Sequence, residues 1–343
     1  MIRSLAVALT LISLGIAGAG SAQAQDTITL RLADSLPHGH AIHEAVAKPF
    51  MEAVTKATNG RVQFQHFPAE QLGKARDLLA LTQTGVADIS YIVPSYTSDK
   101  TPLTAVAELP GAFQSQCQGS MAVYVLSHGG ILEEKEFKPN RIRPLITVAL
   151  PAYQLLLSSP RTVTTANDLH GLKVRTAGGA MDLMVRSIGA VPVRMAAPEI
   201  WESMSRGTLD GAVLSYQSVT SYDLNKLIKS GTVGLNFGTA VITYSIGEAK
   251  WQSLPQDVRN ILAEAGEMAT REGCKRLEAV ERTATEKVRA AGMKEISFGE
   301  TDRAAFAKAF DTVAEDWAKE LDKRGKPGTE VAKAFRAALE SAR

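Results

Sequence analysis

The sequence predicts an α/β protein with two lobes, each built on a parallel-rich sheet flanked by helices. Three observations predict this fold. Short apolar strands alternate with amphipathic helices, and the same order of elements occurs twice along the chain. The chain, with 343 residues, is also longer than one hydrophobic core usually supports. Ligands bind such sheets at the carboxyl ends of their strands, so two facing lobes would enclose a binding cleft.

The first 24 residues have the pattern of a secretory signal peptide. A basic start at Arg3 precedes the apolar stretch 5–16, and Ala22-Gln23-Ala24 is a small-x-small cleavage site. A membrane anchor is the alternative, but the stretch is shorter than the ~20 residues that a spanning helix needs. We therefore expect a mature chain that begins at Gln25 and is exported to the periplasm without being embedded in the membrane.

The charge is nearly balanced, with 38 Lys and Arg against 36 Asp and Glu and a net charge of +2. This balance gives no general attraction to nucleic acid or to a membrane surface. The sequence contains no Gly-x-Ser-x-Gly, His-Glu-x-x-His, phosphate-loop or Gly-x-Gly-x-x-Gly motif. We expect a binding protein with no cofactor and not an enzyme; an exported hydrolase that uses the same cleft is the alternative.

The first repeat is predicted as β-α-β-α-β. Its strands are 27–33, 62–67 and 87–93, and its helices are 41–58 and 75–84. Gly60 follows the first helix as a C-terminal stop, and Pro49 should bend that helix.

The second repeat has the same order, with strands 172–176, 192–195 and 212–215 and helices 180–188 and 198–206. The entry to the last strand also matches: Gly85-Val86-Ala87-Asp88 corresponds to Gly207-Thr208-Leu209-Asp210. In each motif the glycine can end a helix in the left-handed conformation, and the aspartate can turn the chain into the strand.

Between and after the repeats, residues 143–159 predict one strand that crosses between the lobes. Residues 256–289 predict a long helix, and 306–321 carry an apolar stripe at the spacing of a further helix. We assign 25–149 and 239–277 to the first lobe. The second lobe takes 150–238 and 278–343, including the C-terminal helices.

Cys117 and Cys274 are the two cysteines of the chain. In an oxidising compartment they can form a disulfide. Their separation in sequence does not show whether they lie close together in space, so a pair of buried free thiols stays open as the alternative. A catalytic thiol is disfavoured, because neither cysteine lies in a nucleophile motif.

Arg175 ends a predicted strand and is the main candidate for ligand binding. Its planar guanidinium is permanently charged and fits a carboxylate with two parallel hydrogen bonds. The alternative is a structural ion pair with Asp182 or Glu199.

The chain resembles a known family, the solute-binding proteins of TRAP transporters (tripartite ATP-independent periplasmic, DctP type). The motifs that carry the resemblance are Gly60-Arg61-Val62, Phe67-Pro68, Gln71-Leu72-Gly73, Gly85 through Asp88, Leu109-Pro110, Asp168 through Arg175, Gly189-Ala190-Val191-Pro192, Gly207 through Gly211, Lys250-Trp251 and Leu254-Pro255. They follow one another along nearly the whole mature chain.

The resemblance implies a two-lobed, type II-like periplasmic binding protein with hinge strands and a long helix across both lobes. It implies that the arginine at position 175 holds the carboxylate of an organic acid, which a monomeric protein delivers to TRAP membrane permease subunits. A sensor kinase is the alternative partner. The family places an Asn after Asp-Gly, whereas here Asp210-Gly211 leads into Tyr216 and Gln217. We expect one of these two to replace it, which favours an aromatic or apolar monocarboxylate over a sialic acid or a C4-dicarboxylate.

Other polar and aromatic residues lie near the predicted strand ends. Ser95 and Tyr96 follow the third strand of the first repeat, and Tyr153 and Gln154 lie in the interlobe segment. Tyrosine offers a flat apolar face with a hydroxyl, which suits an acid with a ring or a short chain. Phe237 lies in the return segment, where it lines the pocket or packs in the hinge.

His38, His40 and His43 form a cluster where the first predicted helix begins. Imidazoles suit zinc, but no acid lies at ligand spacing from them, so we predict no metal site. Backbone N–H groups at a helix start favour an anion, and we place His40 in the ligand-binding set.

Overall fold

The structure, a computed structural model, describes residues 26–342, so the predicted signal peptide lies outside the described residues. The strands are β1 (Ile28–Ala33), β2 (Val62–Phe67), β3 (Ile89–Ile92), β4 (Ile142–Ala149), β5 (Gln154–Leu157), β6 (Lys173–Thr176), β7 (Val191–Arg194), β8 (Gly211–Leu214), β9 (Ser230–Thr232), β10 (Val241–Gly247) and β11 (Lys294–Ile296).

The helices are α1 (Lys48–Ala57), α2 (Leu78–Gln83), α3 (Gln116–Ser127), α4 (Ala180–Ser187), α5 (Ile200–Ser205), α6 (Tyr216–Ser221), α7 (Glu248–Ser253), α8 (Gln256–Ala290), α9 (Glu300–Lys323) and α10 (Gly328–Ser341). Within residues 26–342, none of these helices combines the length and the apolar character needed to cross a membrane.

The strands form two sheets of matching topology. The first has the order β2-β1-β3-β10-β4 and the second β7-β6-β8-β5-β9-β11. In each sheet the first strand of a repeat lies between two parallel neighbours, and the third strand pairs with an antiparallel one. The predicted two-lobed α/β fold is confirmed, and the repeated order of elements corresponds to one topology used twice.

The repeats also share a pair of hydrogen bonds made by the aspartate just before the third strand, and we call this aspartate the corner aspartate of its repeat. The backbone N–H of Asp88 donates to the carbonyl of Arg31 (3.0 Å), and its carboxylate accepts from the backbone N–H of Arg31 (2.8 Å). Asp210 makes the same pair of bonds with Lys173, at 2.9 Å and 2.8 Å. The two aspartates therefore hold the first strand of each repeat to the third.

The glycine three residues before each aspartate is left-handed, as the motif predicts. Gly85 has φ +76° and Gly207 has φ +69°. A residue with a Cβ would be strained in this conformation, so glycine allows the short turn from helix to strand.

The predicted single strand over 143–159 is wrong, because the chain breaks at Pro151. β4 ends in the first sheet at Ala149 and β5 begins in the second at Gln154, since proline has no N–H with which to continue a ladder. The return segment runs beside the break: the Tyr153 N–H donates to the Gly238 carbonyl at 2.8 Å. Two short segments side by side therefore connect the sheets.

The first helix of the first repeat changes its winding beside Pro49. A π-helical turn over His43–Ala47 precedes α1, and Pro49 lies in the first turn of α1. A proline there lacks the N–H that would continue the preceding turn, so the irregularity lies where the sequence predicts a bend.

Helix α8 packs on β4 of the first sheet and on α6, the helix that follows β8 of the second sheet. A disulfide between Cys117 and Cys274 ties it to α3, with a Cα–Cα distance of 5.1 Å. Further along, the carboxylate of Glu281 accepts from the backbone N–H groups of Tyr216 (3.0 Å) and Gln217 (2.7 Å), which begin α6. The disulfide is present, so the free-thiol alternative is wrong.

The C-terminal helices lie on different parts of the fold. α9 packs on α4 of the second repeat, while α10 packs on α3. The Gln118 side chain donates to the Leu339 carbonyl at 3.1 Å, and Val331 and Phe335 are buried. α10 also packs on α9, so the assignment of 278–343 to the second lobe and the other lobe boundaries stay a prediction.

Candidate ligand-binding site

A small cavity lies where the carboxyl ends of the strands of the two sheets meet. Its volume is about 20 Å³, which is room for a water molecule, so a larger ligand requires the two halves to move apart. The lining residues are His40, Ile42, Tyr91, Val93, Tyr96, Leu150, Tyr153, Arg175, Ala177, Ala197, Leu214, Ser218, Tyr222, Ala240 and Ile242. Both repeats and both connecting segments contribute, so a molecule in this cavity would touch all of them.

Arg175 brings a buried positive charge to the cavity from the end of β6. The residue is 1% exposed. Its Nε donates to the Met195 carbonyl at 3.0 Å, and its Nη2 lies 3.4 Å from the Tyr96 hydroxyl. Within residues 26–342, no carboxylate oxygen lies within 4.0 Å of its guanidinium nitrogens.

The two acids proposed as structural partners of Arg175 are engaged elsewhere. Asp182 forms its ion pair with Arg194, whose Nε lies 3.0 Å from Oδ2. Glu199 accepts from the backbone N–H of Ala196 at 3.1 Å. The structural ion-pair alternative for Arg175 is therefore wrong.

Four tyrosines surround much of the cavity. Tyr91, Tyr96 and Tyr153 come from the first repeat and the connection after it, and Tyr222 from the end of α6. Burial raises the pKa of Tyr91, Tyr153 and Tyr222 above the ordinary value, so these phenols stay neutral. The Tyr96 hydroxyl accepts from the Ala197 N–H at 2.8 Å, which joins the two halves at the cavity.

His40 contributes a neutral hydrogen-bond donor. Its Nδ1 accepts from the Ile42 N–H at 3.1 Å, so the proton of the neutral ring is on Nε2. Burial lowers the pKa of His40 to about 3, and the ring packs edge-on against Tyr222 at 4.9 Å. Among the described residues Nε2 has no hydrogen-bond partner.

The structure thus brings together Arg175, Tyr153, Tyr96 and His40 of the predicted set. Three other predicted residues do not line the cavity. The Ser95 hydroxyl donates to Glu108, the Gln154 amide bonds Thr232 and Leu235, and the Tyr216 hydroxyl donates to the Thr232 carbonyl at 2.7 Å.

Gln217 and Phe237 also lie outside the lining. Gln217 is fully buried, and its side-chain amide has no partner among residues 26–342. Phe237 packs against Phe306 and Phe310, with ring centroids 5.8 and 5.6 Å apart.

Sequence reasoning did not place Tyr91, Tyr222 or Ser218 at the cavity. Tyr222 and Ser218 depend on α6, a six-residue helix that is too short to show a periodic pattern. Tyr91 lies in a strand in which every residue is buried, so alternation does not separate its cavity side from its core side.

Two sheets of equal topology, a cavity at their strand ends and a buried cation in its wall define the class of two-lobed solute-binding proteins. The chain belongs to bacterial extracellular solute-binding protein family 7 (DctP), whose profile matches residues 32–320. This is the family of the DctP-type solute-binding proteins of TRAP transporters, as the sequence resemblance predicts.

Known relatives match over nearly the full chain. A solute-binding protein of Roseobacter denitrificans is 29% identical over 308 residues, which cover 88% of this chain and 91% of that protein. A TRAP solute-binding protein from Rhodoferax ferrireducens, solved with copurified benzoate, is 25% identical with a TM-score of 0.85 and covers 92% of this chain and 98% of its own.

A marine metagenome TRAP solute-binding protein, solved with 3-hydroxybenzoate, has a TM-score of 0.84 at 23% identity, over 92% of this chain and 99% of its own. At this identity the likeness concerns the fold.

Proposed function

We propose that this protein binds a small monocarboxylate with an aromatic or apolar body and delivers it to TRAP membrane permease subunits. The observation that carries the proposal is Arg175, a buried cation in the cavity wall with no carboxylate partner among the described residues. Leaving a buried charge unpaired costs several kcal/mol, on the order of the penalty for breaking a buried ion pair. A ligand carboxylate would remove that cost with two charge-assisted hydrogen bonds.

The residues that line the cavity suit a ligand with one negative charge and an apolar body. Arg175 is the only Lys or Arg among the lining residues, and His40 is neutral because burial lowers its pKa to about 3. The second carboxylate of a C4-dicarboxylate would therefore meet no cation in this cavity. Tyrosine faces and aliphatic side chains fill most of the remaining wall and suit a ring. The benzoate found in the Rhodoferax protein is an acid of this kind.

Capture would work through closure of the two halves. Arg175 comes from the second repeat and His40 from the first, so a ligand that touches both is bound only when the halves are together. Such a ligand favours the closed state because its affinity for that state is higher. The Tyr96 hydroxyl reaches Arg175 and the Ala197 N–H across the same boundary. No bond of the ligand is made or broken, so the role is binding and not catalysis.

Calorimetric titration of the periplasmic form with benzoate, 3-hydroxybenzoate and succinate tests the proposal. Arg175→Ala should weaken binding of the best acid at least about 30-fold, because truncating one partner of a buried charge pair costs 2–5 kcal/mol. Arg175→Lys keeps the charge but loses the planar guanidinium that can make two parallel hydrogen bonds, and we expect the affinity to fall about 10-fold. Arg206→Ala is the matched control, since that arginine is 70% exposed on the surface of the same repeat, and it should bind like the wild type.

Wild-type affinity in Arg175→Ala would refute the role of Arg175. Tightest binding of succinate would refute the monocarboxylate class but leave the arginine in place. The acid should be recovered chemically unchanged after long incubation, and turnover would instead favour the hydrolase alternative. Uptake of the same acid into vesicles that carry the permease, at a rate that depends on this protein, tests the delivery step and separates a permease partner from a sensor kinase.

A further inference from the structure

Three metal-ligating side chains converge at the carboxyl ends of β1 and β2. Asp34 directly follows β1, His66 is the next-to-last residue of β2, and His43 begins the π-helical turn after β1. One ligand atom from each lies within 4.8 Å of the other two. Asp34 Oδ2 is 2.7 Å from His66 Nε2 and 3.8 Å from His43 Nδ1.

The three residues differ in burial in a way that suits an ion entering from solvent. The Asp34 side chain is fully buried, whereas those of His43 and His66 are 15% and 23% exposed. The backbone N–H of Leu36 donates to Asp34 Oδ1 at 3.0 Å, which leaves Oδ2 facing the imidazoles. An oriented carboxylate with two reachable imidazoles is a donor set for zinc and similar divalent transition metals.

The hydrogen bonds of the cluster do not account for all three groups. The Asp34–His66 bond satisfies those two residues, but within residues 26–342 the buried Nδ1 of His43 has no hydrogen-bond partner. A carboxylate oxygen beside an unpartnered imidazole nitrogen is an arrangement that a cation would complete.

We propose that Asp34, His43 and His66 bind a divalent transition-metal ion of the zinc type, at a site separate from the organic-acid cavity. Ligand atoms around a tetrahedral zinc lie roughly 3.3 to 3.6 Å apart. The Asp34 distances of 2.7 and 3.8 Å lie on either side of this range, so small side-chain shifts are enough for Asp34. The imidazole rings are stacked 4.5 Å apart at 9°, and two parallel rings cannot both point at one ion. Binding therefore requires one ring to turn, and His66 can do so because it is the more exposed and lies on the edge strand β2.

This proposal differs from the sequence-based prediction of no metal site. That prediction rested on the lack of an acid near His38, His40 and His43. The structure places Asp34 beside His43 and brings His66 from the next strand. Of the original three histidines His43 alone takes part, since His38 is exposed and Nδ1 of His40 is occupied by the Ile42 N–H.

The test is a titration of the untagged, disulfide-bonded protein with Zn²⁺ after chelator treatment, with Co²⁺ absorption as a second readout. We expect one ion per chain and a tetrahedral Co²⁺ spectrum. His43→Ala and His66→Ala should each weaken Zn²⁺ binding at least about 100-fold, since each removes one of three ligands. His38→Ala removes an exposed histidine of the same loop and should bind Zn²⁺ like the wild type.

Circular dichroism checks that each variant is folded. Arg175→Ala should bind Zn²⁺ normally, which separates this site from the organic-acid cavity. Absence of stoichiometric binding by the wild type would overturn the proposal. So would a His43→Ala variant that keeps wild-type Zn²⁺ affinity while His66→Ala loses it, because an exposed surface histidine would then explain the binding.

Discussion

The two repeats have the same strand topology but carry different residues at the equivalent position of their first strands. Ala33 pairs with Ser90 at the end of β1, and Arg175 pairs with Ala212 at the end of β6. Ala33 lies two residues after Arg31, and Arg175 lies two residues after Lys173; these are the residues whose backbone N–H groups donate to Asp88 and Asp210. The equivalent of the cavity arginine is therefore an alanine. The shared topology positions strand ends at a cleft, but a single side chain decides which half supplies the charge.

The repeats also differ in how their buried charges are satisfied. In the first half the carboxyl group of Glu136 accepts from the backbone N–H groups of Leu103 and Thr104. In the second half Arg175 contacts one carbonyl and one hydroxyl. Buried charges that the protein itself satisfies hold the fold together, whereas one that it leaves unpaired points to a ligand.

The largest expected effect concerns how α8 is attached to each half. The disulfide from Cys274 to Cys117 holds it to the first half across 157 residues of sequence, while Glu281 holds the second half by hydrogen bonds alone. Replacing both cysteines by serine should lower the free energy of unfolding by about 2–5 kcal/mol. Guanidinium unfolding measures this loss.

Reduction of the wild-type protein by dithiothreitol should reproduce the loss, while the double variant should not respond to the reductant. An unchanged unfolding midpoint in the double variant would mean that the first half is held to α8 by non-covalent contacts, as the second half is.

The next effect tests a buried acid of the first half. Burial raises the pKa of Glu108 to about 7 from an ordinary 4.5, although hydrogen bonds from Ser95 and the Val241 N–H oppose the shift. Because the folded-state pKa lies above the unfolded one, the stability that this group contributes is full below about pH 4.5 and is lost as the pH rises through about 7. Glu108→Gln should reduce the fall in unfolding free energy between pH 4.5 and 8 by about 3 kcal/mol.

Denaturant unfolding at a series of pH values measures this dependence. Glu134→Gln, at an exposed position, is the control and should keep the wild-type dependence. If Glu108→Gln keeps it as well, Glu108 is ionised in the folded protein throughout that range. The expected rise of its pKa on burial would then be wrong.

The sequence predicts the bounds of strands and helices better than it predicts which side chains meet in the cavity. The bounds of β2, the start of α8 at Gln256 and the strand that ends near Arg175 follow from local periodicity and Gly or Pro stops. Tyr222 enters the cavity, and Asp34 meets His66, only because segments far apart in sequence pack together. Periodicity within one element cannot report which side chains from separate elements share a cavity.

The smallest effect compares the two corner aspartates directly. Asp88→Ala and Asp210→Ala each leave a backbone N–H without its carboxylate partner, which costs about 1–2 kcal/mol. Asp88 also pairs with the Arg31 side chain, at 3.1 Å, but that arginine is 41% exposed, so the pair adds about 0.5 kcal/mol at most.

We therefore expect similar losses of unfolding free energy, with Asp88→Ala slightly larger, and Asp→Asn variants at both sites should recover much of the loss by keeping a side-chain oxygen. Thermal unfolding of the four variants measures the comparison. A much larger cost at one corner would show that the two repeats share geometry but not energetics.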